Sequence, residues 1–170
     1  MLDYWAKGKE MAVPETDGSR DFDFEIGSWS VQHRRLKLRL KNCTEWEMFL
    51  GQSSMQLSLS GHGNLEQNII EIPGATYHAI AIRAFDTKSE TWAIWWLDGR
   101  DPHHLDEPVI GRFSDGVGEF RAVDTIDDQR VLVRFLWLRT NTETPRWEQA
   151  MSIDDGVTWE TNWVMDFTRV

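Results

Sequence analysis

Two side chains that could do chemistry, His33 and Arg35, stand two residues apart in a stretch with β-strand character. Side chains at positions i and i+2 of a strand share a face, so His33 and Arg35 point the same way. Histidine titrates near neutral pH and serves as a general acid or base, whereas arginine binds anionic groups through charge-assisted hydrogen bonds. The pair indicates either acid–base chemistry at His33, with Glu47 or Glu148 as the carboxylate, or binding of an anion.

The strand that carries this pair begins near Trp29. If Trp29 points into the protein, alternation sends Val31, His33, Arg35 and Lys37 inward as well. Buried charges need a charged partner or water, so this orientation requires a carboxylate partner or a wet pocket. A bulge or twist after Trp29 would instead leave these side chains in solvent. The sequence leaves both orientations open.

Tryptophan is unusually abundant, with ten Trp against two Tyr. Trp combines a large apolar surface with one N–H donor, which suits a core and a ligand cavity alike. Small-molecule sites are mostly apolar and contain a few converging polar groups. We therefore predict a ligand site in which Trp46, Trp96 and Trp163 form the walls and His33, Arg35, Tyr77 and Glu148 are the polar anchors.

The elements that must position these residues are strands. From Phe22 onward, β-rich runs alternate with turn residues at intervals typical of an all-β fold, and only a short helix around Leu2–Met11 is predicted. Tight turns between consecutive strands favour an antiparallel up-and-down β-barrel of about ten strands (residues 21–170) after an N-terminal arm (residues 1–20), with a sandwich as the alternative. The predicted strands are Trp29–Leu38, Thr44–Leu50, Ser53–Ser60, Asn68–Ile72, Tyr77–Phe85, Thr91–Leu97, Val109–Phe113, Gly118–Thr125, Arg130–Leu138, Arg146–Ile153 and Thr158–Thr168.

The last hairpin contains an Asp-box, Ser152-Ile-Asp-Asp-Gly-Val-Thr-Trp159. We interpret it as a turn motif, because sialidase propellers carry several copies and this chain has one. In the strand after it, alternation predicts an inner face of Trp159, Thr161, Trp163, Met165 and Phe167, with Asn162 on the outer face. In the strand before it, alternation does not choose between Glu148 and Gln149.

Charge and composition restrict the partners. A net charge of −10 argues against nucleic acid and against anionic membranes, and no apolar run is long enough for a membrane helix. The single cysteine, Cys43, and the lack of a signal-peptide pattern predict a cytoplasmic protein.

His103 and His104 lack a third ligand and are expected in a solvated loop, so no metal site is predicted. A homodimer through an outer apolar patch or a strand edge remains open.

The segment Gly27-Ser28-Trp29 resembles the signature of lipocalins and other calycins, in which the Trp closes the barrel floor beneath an Arg near the C-terminus. Arg169 is in position to be that Arg. Further segments around His33–Lys37, Thr44–Glu47, Trp96–Arg100 and Trp147–Trp163 are similar to an uncharacterised bacterial lipocalin-like family. The resemblance implies a barrel and no particular activity. The glycine-rich first-strand motif of nitrobindin-type haem barrels is not matched, so no cofactor is predicted.

Three functions remain open. The leading hypothesis is a barrel that binds a small, partly apolar and possibly anionic molecule. The second is a small barrel enzyme, an isomerase, cyclase or hydrolase, that uses His33 with Glu148 or Glu47. The third is an interaction protein whose barrel interior is filled by side chains.

Overall fold

The computed structural model describes residues 17–170, and the fold is all-β. Ten strands form one closed antiparallel barrel, as the sequence predicts. Each strand pairs with the next along the chain, and the last pairs with the first, so the topology is up-and-down. The strands are β1 (Gly27–Leu36), β2 (Trp46–Ser58), β3 (Gly63–Ile72), β4 (Ala75–Asp86), β5 (Thr91–Asp98), β6 (Val109–Ser114), β7 (Val117–Ile126), β8 (Gln129–Leu138), β9 (Arg146–Ser152) and β10 (Glu160–Arg169).

The predicted helix around Leu2–Met11 and most of the predicted arm, residues 1–20, lie outside the described residues. Two predicted boundaries were wrong. β2 is one strand where two were expected, and β3 starts at Gly63 where a turn was expected. Gly51, which falls in the gap between two predicted strands, lies in extended β2, where a Cβ would be 2.6 Å from His33 Nε2 and 2.7 Å from the Ile69 carbonyl oxygen. The glycine is therefore needed for close packing and not for a turn.

One end of the barrel is closed by a 3₁₀ turn, Asp23–Glu25, that precedes β1. The ring of Phe22 packs among inward-facing aromatic side chains of the strands. The largest fully buried apolar side chains lie in this half of the barrel: Phe22, Trp29, Trp92, Phe120, Trp137 and Phe167. Their burial stabilises the fold by about 1.5–3 kcal/mol each, before the entropy cost of ordering the chain.

The predicted contact between Trp29 and Arg169 is confirmed. The guanidinium carbon of Arg169 lies 4.1 Å from the Trp29 ring centroid. Arg169 also donates hydrogen bonds to the carbonyls of Ile26 (2.9 Å) and Phe24 (3.0 Å), and Trp29 Nε1 donates to the Glu25 carbonyl (2.7 Å). These contacts attach the 3₁₀ turn to the first and last strands.

The Asp-box forms the turn between β9 and β10, as predicted. Asp154 accepts hydrogen bonds from Ser152 Oγ (2.6 Å) and from the hydroxyl (2.6 Å) and amide (2.9 Å) of Thr158. These donors lower the pKa of Asp154 to about 2. Trp159 Nε1 donates to the Gly156 carbonyl (3.0 Å), which pins the indole to the turn.

The predicted inner face of β10 is partly wrong. Trp163 and Met165 line the barrel interior as expected, but Trp159 lies on the outer surface, with the Arg134 guanidinium 4.3 Å from its ring centroid. The pairing of β10 with β9 shifts between Thr161 and Trp163, which is a β-bulge. A bulge inserts one residue and reverses the alternation, so the residues before it exchange faces.

Candidate functional site

The half of the barrel opposite the 3₁₀ turn encloses a cavity of about 740 Å³. This volume falls in the range of small-molecule sites. Aromatic, charged and amide residues all contribute to its lining, and the polar and apolar parts of the lining are similar in extent. The aromatic lining residues are Tyr77, Trp96, Phe135, Trp137, Trp147 and Trp163.

One row of inward-facing side chains crosses four neighbouring strands within this cavity. Arg35 on β1 pairs with Trp163 on β10, Trp163 pairs with Gln149 on β9, and Gln149 pairs with Phe135 on β8. On the other side of β1, Arg35 pairs with Glu47 on β2. The row therefore places the Arg35 guanidinium on one side of the Trp163 indole and the Gln149 amide on the other side.

Arg35 faces inward, which is one of the two orientations that the sequence left open. Its side chain is 25% exposed, and its Nη2 lies 3.5 Å from Glu47 Oε2, a long single contact. The guanidinium carbon lies 5.3 Å from the Phe49 ring centroid and 5.5 Å from that of Trp163. Aromatic rings on two sides hold the guanidinium in place and leave other N–H donors free for an anion.

His33 faces inward, one inward position below Arg35 on β1, but it does not line the cavity. Its ring stacks on Phe49 at 4.8 Å, and Trp163 Nε1 donates to its Nδ1 at 3.1 Å. Burial, reinforced by the Arg35 charge, lowers the pKa of His33 to about 4. Glu47 contacts Arg35 instead of His33. The structure thus makes His33 a neutral packing residue and does not bring it to the expected carboxylates.

Tyr77 and Trp96 line the cavity, as predicted. The Trp96 ring lies 6.3 Å from that of Trp163, edge to face. The Arg100 guanidinium lies 3.8 Å from the Tyr77 ring centroid and is held by Asp98 at 2.6 Å. Burial raises the pKa of the Tyr77 hydroxyl, against the opposing effect of the Arg100 and Arg35 charges. Tyr77 is therefore a neutral hydrogen-bonding group near the mouth.

Two predicted site residues lie outside the cavity. Trp46 is 39% exposed on the outer face of β2, with Arg34 5.6 Å from its ring centroid. Glu148 lies 3.7 Å from Arg146 and does not line the cavity. Alternation explains both, because their neighbours Glu47 and Gln149 occupy the inward positions.

Trp46, Met48 and Leu50 form an exposed apolar stripe along the outside of β2. This stripe is an outer apolar patch of the kind that alternation alone could not locate. The homodimer remains a prediction.

Gln149 and Asn162 are both buried and line the cavity. Alternation left Gln149 open against Glu148, and the prediction that Asn162 lies on the outer face was wrong because the bulge of β10 turns it inward. Gln149 Nε2 donates to Asn162 Oδ1 at 2.8 Å, and Asn162 Nδ2 donates to the Glu160 carbonyl at 3.4 Å. Asn162 is the residue inserted at the bulge of β10. Neither residue type nor spacing reveals a bulge, so no signal in the sequence could have found this pair.

A buried ionic cluster separates the cavity from the closed end. Arg83 lies 3.0 Å from Glu25, forms a second ion pair with Glu66, and donates to Asn64 Oδ1 at 3.0 Å. Ser53 Oγ donates to Glu66 at 2.5 Å. Burial raises the pKa of Glu25 well above its usual range, in spite of the Arg83 charge. Glu66 and Arg83 form the polar floor of the cavity.

Residues 17–170 contain neither a metal-binding cluster nor a membrane-spanning helix. No group of three or more His, Cys, Asp or Glu side chains there is arranged to hold a metal ion. Over the same residues, no helix is long and apolar enough to cross a membrane. His103 and His104 are exposed in the segment between β5 and β6.

Comparison with known proteins gives no relative from which a role could be transferred: no family model and no curated protein matches the chain. The resemblance to lipocalin-like proteins stays a prediction. The site must therefore be interpreted from its own geometry.

Proposed function

We propose that the barrel binds a small, partly apolar molecule that carries an anionic group. The observation that supports this most directly is the cavity of about 740 Å³ in which Arg35 stands beside aromatic walls. The apolar body of the ligand packs against Trp96 and Trp163, whose rings contact each other edge to face in the cavity wall. Its anionic group binds Arg35 near the mouth.

The basic residues on one side of the mouth support an anionic head group at that side. Arg35, Lys37 and Arg39 line the cavity there, whereas the acidic residues Asp98, Asp101 and Asp106 come from β5 and the segment that follows it. The one carboxylate near Arg35 is Glu47, at a long 3.5 Å, and the Tyr77 hydroxyl is its other polar neighbour. Lys37 is paired with Glu45, which does not line the cavity. A ligand carboxylate that bonds to Arg35 replaces water around a half-buried charge, where a charge-assisted hydrogen bond is stronger than at the surface.

The remaining hypotheses receive less support from the geometry. An enzyme based on His33 needs that side chain in the cavity, but His33 does not line it and has a pKa of about 4. A neutral imidazole away from the cavity is poorly placed to exchange a proton with a bound substrate. A filled barrel leaves no ligand-sized space, which differs from the observed volume.

The test is native mass spectrometry of the protein as purified from cells, with Arg35→Met as the variant and Arg34→Met as the matched control. Arg34 is the next residue on β1 and points outward over Trp46. Wild type and R34M are expected to carry the same small molecule in a one-to-one complex. R35M is expected to lose it, since removal of a charge-assisted hydrogen bond weakens binding roughly tenfold to a hundredfold.

The same three proteins are then titrated with a naphthalene carboxylic acid, with quenching of tryptophan fluorescence as the signal. Binding by wild type and R34M, weakened in R35M, supports the proposal. If all three proteins are free of ligand as purified and none is quenched by the acid, the proposed function is wrong. Equal binding by R35M and wild type would show that Arg35 is not the anchor.

A further inference from the structure

Gln149 is a polar residue in an otherwise aromatic wall. Its two cross-strand neighbours that face the cavity are Phe135 and Trp163, and it is only 8% exposed. An apolar residue at this position would continue the wall without the cost of burying an amide. Departures from the local packing rule of this kind are expected where function requires them.

The β-bulge in β10 supplies a partner for this glutamine. By inserting Asn162 into the strand, the bulge turns both Asn162 and Trp163 toward the cavity. Asn162 is fully buried. Its Oδ1 accepts a hydrogen bond from Gln149, and its Nδ2 donates one to the Glu160 carbonyl. Bulges are common next to binding sites because they re-aim a side chain. Here the bulge holds the Gln149 amide in one orientation.

The bond to Asn162 uses one Nε2 hydrogen of Gln149. A glutamine amide has a second Nε2 hydrogen and an Oε1 acceptor, so the side chain retains one donor and one acceptor on the cavity wall. A group that both donates and accepts satisfies the two together. Hydroxyls, primary amides and lactams have this property, whereas carboxylates and ethers only accept.

We infer that Gln149 is a second, specificity-determining anchor and that the ligand carries a neutral hydroxyl or amide group at the end remote from its anionic group. The anionic group binds Arg35 and the planar body lies over Trp163, which stands between the two anchors in the same row. One strand separates β1 from β9, which places the two backbones roughly 10 Å apart. This inference rests on the proposed function and names the chemical class of its ligand.

The experiment compares a naphthalene carboxylic acid with its derivative that carries a hydroxyl on the far ring. The measured quantity is the ratio of their dissociation constants, obtained by isothermal titration calorimetry. Wild type is expected to bind the hydroxy acid roughly fivefold to tenfold more tightly. In Gln149→Met, which has nearly the same shape and no hydrogen-bonding groups, the ratio is expected to fall to about one.

The matched control is Gln52→Met, the same substitution at an exposed position on the outer face of β2. Q52M is expected to keep the wild-type ratio. If Q149M is not folded, as judged by near-ultraviolet circular dichroism, Gln149→Leu repeats the test with a second apolar side chain.

Each contrary outcome has a distinct meaning. If wild type binds both acids equally, the inference is overturned and the proposed function stands. If Q149M keeps the wild-type ratio while its melting temperature falls, Gln149 serves only to close the bulge and the inference is again overturned. If neither acid binds wild type, the proposed function fails together with the inference.

Discussion

The closed and open halves of the barrel each hold an arginine between two aromatic rings. In the closed half, Arg83 lies 4.8 Å from the Phe22 ring centroid and 5.7 Å from that of Trp137. In the open half, Arg35 lies at 5.3 and 5.5 Å from its two rings. The residue type and its aromatic neighbours are the same, so the difference in role must come from the surroundings of the charge.

The two arginines differ in their partners and in their exposure. Arg83 is 3% exposed and contacts two buried carboxylates, Glu25 and Glu66. Arg35 is 25% exposed and contacts one carboxylate, Glu47, at 3.5 Å. A buried charge held by two buried carboxylates stabilises one packing and has little capacity left for a ligand, whereas a partly exposed charge with a weak partner can exchange that partner. The comparison separates a structural ion cluster from the anchor that we propose for a ligand.

The largest expected effect is on the closed half. Arg83→Met leaves two buried carboxylates without their cation and should lower the free energy of unfolding by about 3–5 kcal/mol. Urea denaturation at neutral pH measures this change. Arg35→Met is the comparison variant and should cost less than about 1 kcal/mol, as is typical of a partly exposed ion pair. Equal losses of unfolding free energy in R83M and R35M would show that the two arginines contribute alike to stability, and would contradict the assignment of only Arg83 to a structural cluster.

His33 lies at the boundary between the halves, and the pH dependence of stability tests whether it is buried there. Its pKa falls from 6.5 to about 4 on folding, so between these pH values the unfolded chain binds a proton that the folded protein does not. Stability is therefore lost as the pH falls through this window. Relative to His33→Gln, wild type should lose about 3 kcal/mol between pH 7 and pH 4.

Urea denaturation of wild type and H33Q at a series of pH values measures the difference. Glutamine does not titrate, yet it can still accept the hydrogen bond from Trp163 Nε1. Parallel pH profiles for the two proteins would mean that His33 is accessible to solvent. In that case the boundary of the cavity would lie deeper than the structure places it.

The smallest expected effect concerns the attachment of the 3₁₀ turn. Arg169→Met removes two hydrogen bonds to backbone carbonyls and the contact with Trp29, and should cost about 1–2 kcal/mol. Arg130→Met is the control, because Arg130 forms only an exposed ion pair with Asp155. The free energy of unfolding of R130M is expected to fall by less than about 0.5 kcal/mol. A similar fall in both variants would show that Arg169 does not stabilise the attachment of the 3₁₀ turn.

Much of the fold follows from local patterns in the sequence. Turn residues between β-rich runs predicted an all-β protein, and the absence of helical periodicity in those runs predicted a barrel or a sandwich. The Asp-box predicted its own hairpin because its hydrogen bonds link residues close in sequence, such as Asp154 and Thr158. The strand ends were less well predicted, since the gap expected between Leu50 and Ser53 lies inside β2.

Parts of the candidate site follow from residue type or from alternation within one strand. Tyr77, Trp96 and Trp163 were chosen by residue type and line the cavity. Of the two orientations that the sequence left open for Arg35, the structure shows the inward one, because Trp29 and Arg35 lie on the uninterrupted β1. The same rule could not choose between Glu148 and Gln149, since the face of β9 depends on its pairing with β8 and β10. Trp46 was assigned to the wall from its residue type alone, and its position on β2 places it outside.

The all-β class and most of the strands follow from side-chain chemistry and from a period of two within single segments. The contact of Trp29 with Arg169 was expected only from the resemblance to lipocalin-like proteins. The tertiary structure was needed to show that Arg83 pairs with two buried carboxylates while Arg35 faces the cavity, and that Gln149 and Asn162 meet on the cavity wall. Those outcomes depend on the register between strands and on one inserted residue, which alternation within a single strand does not record.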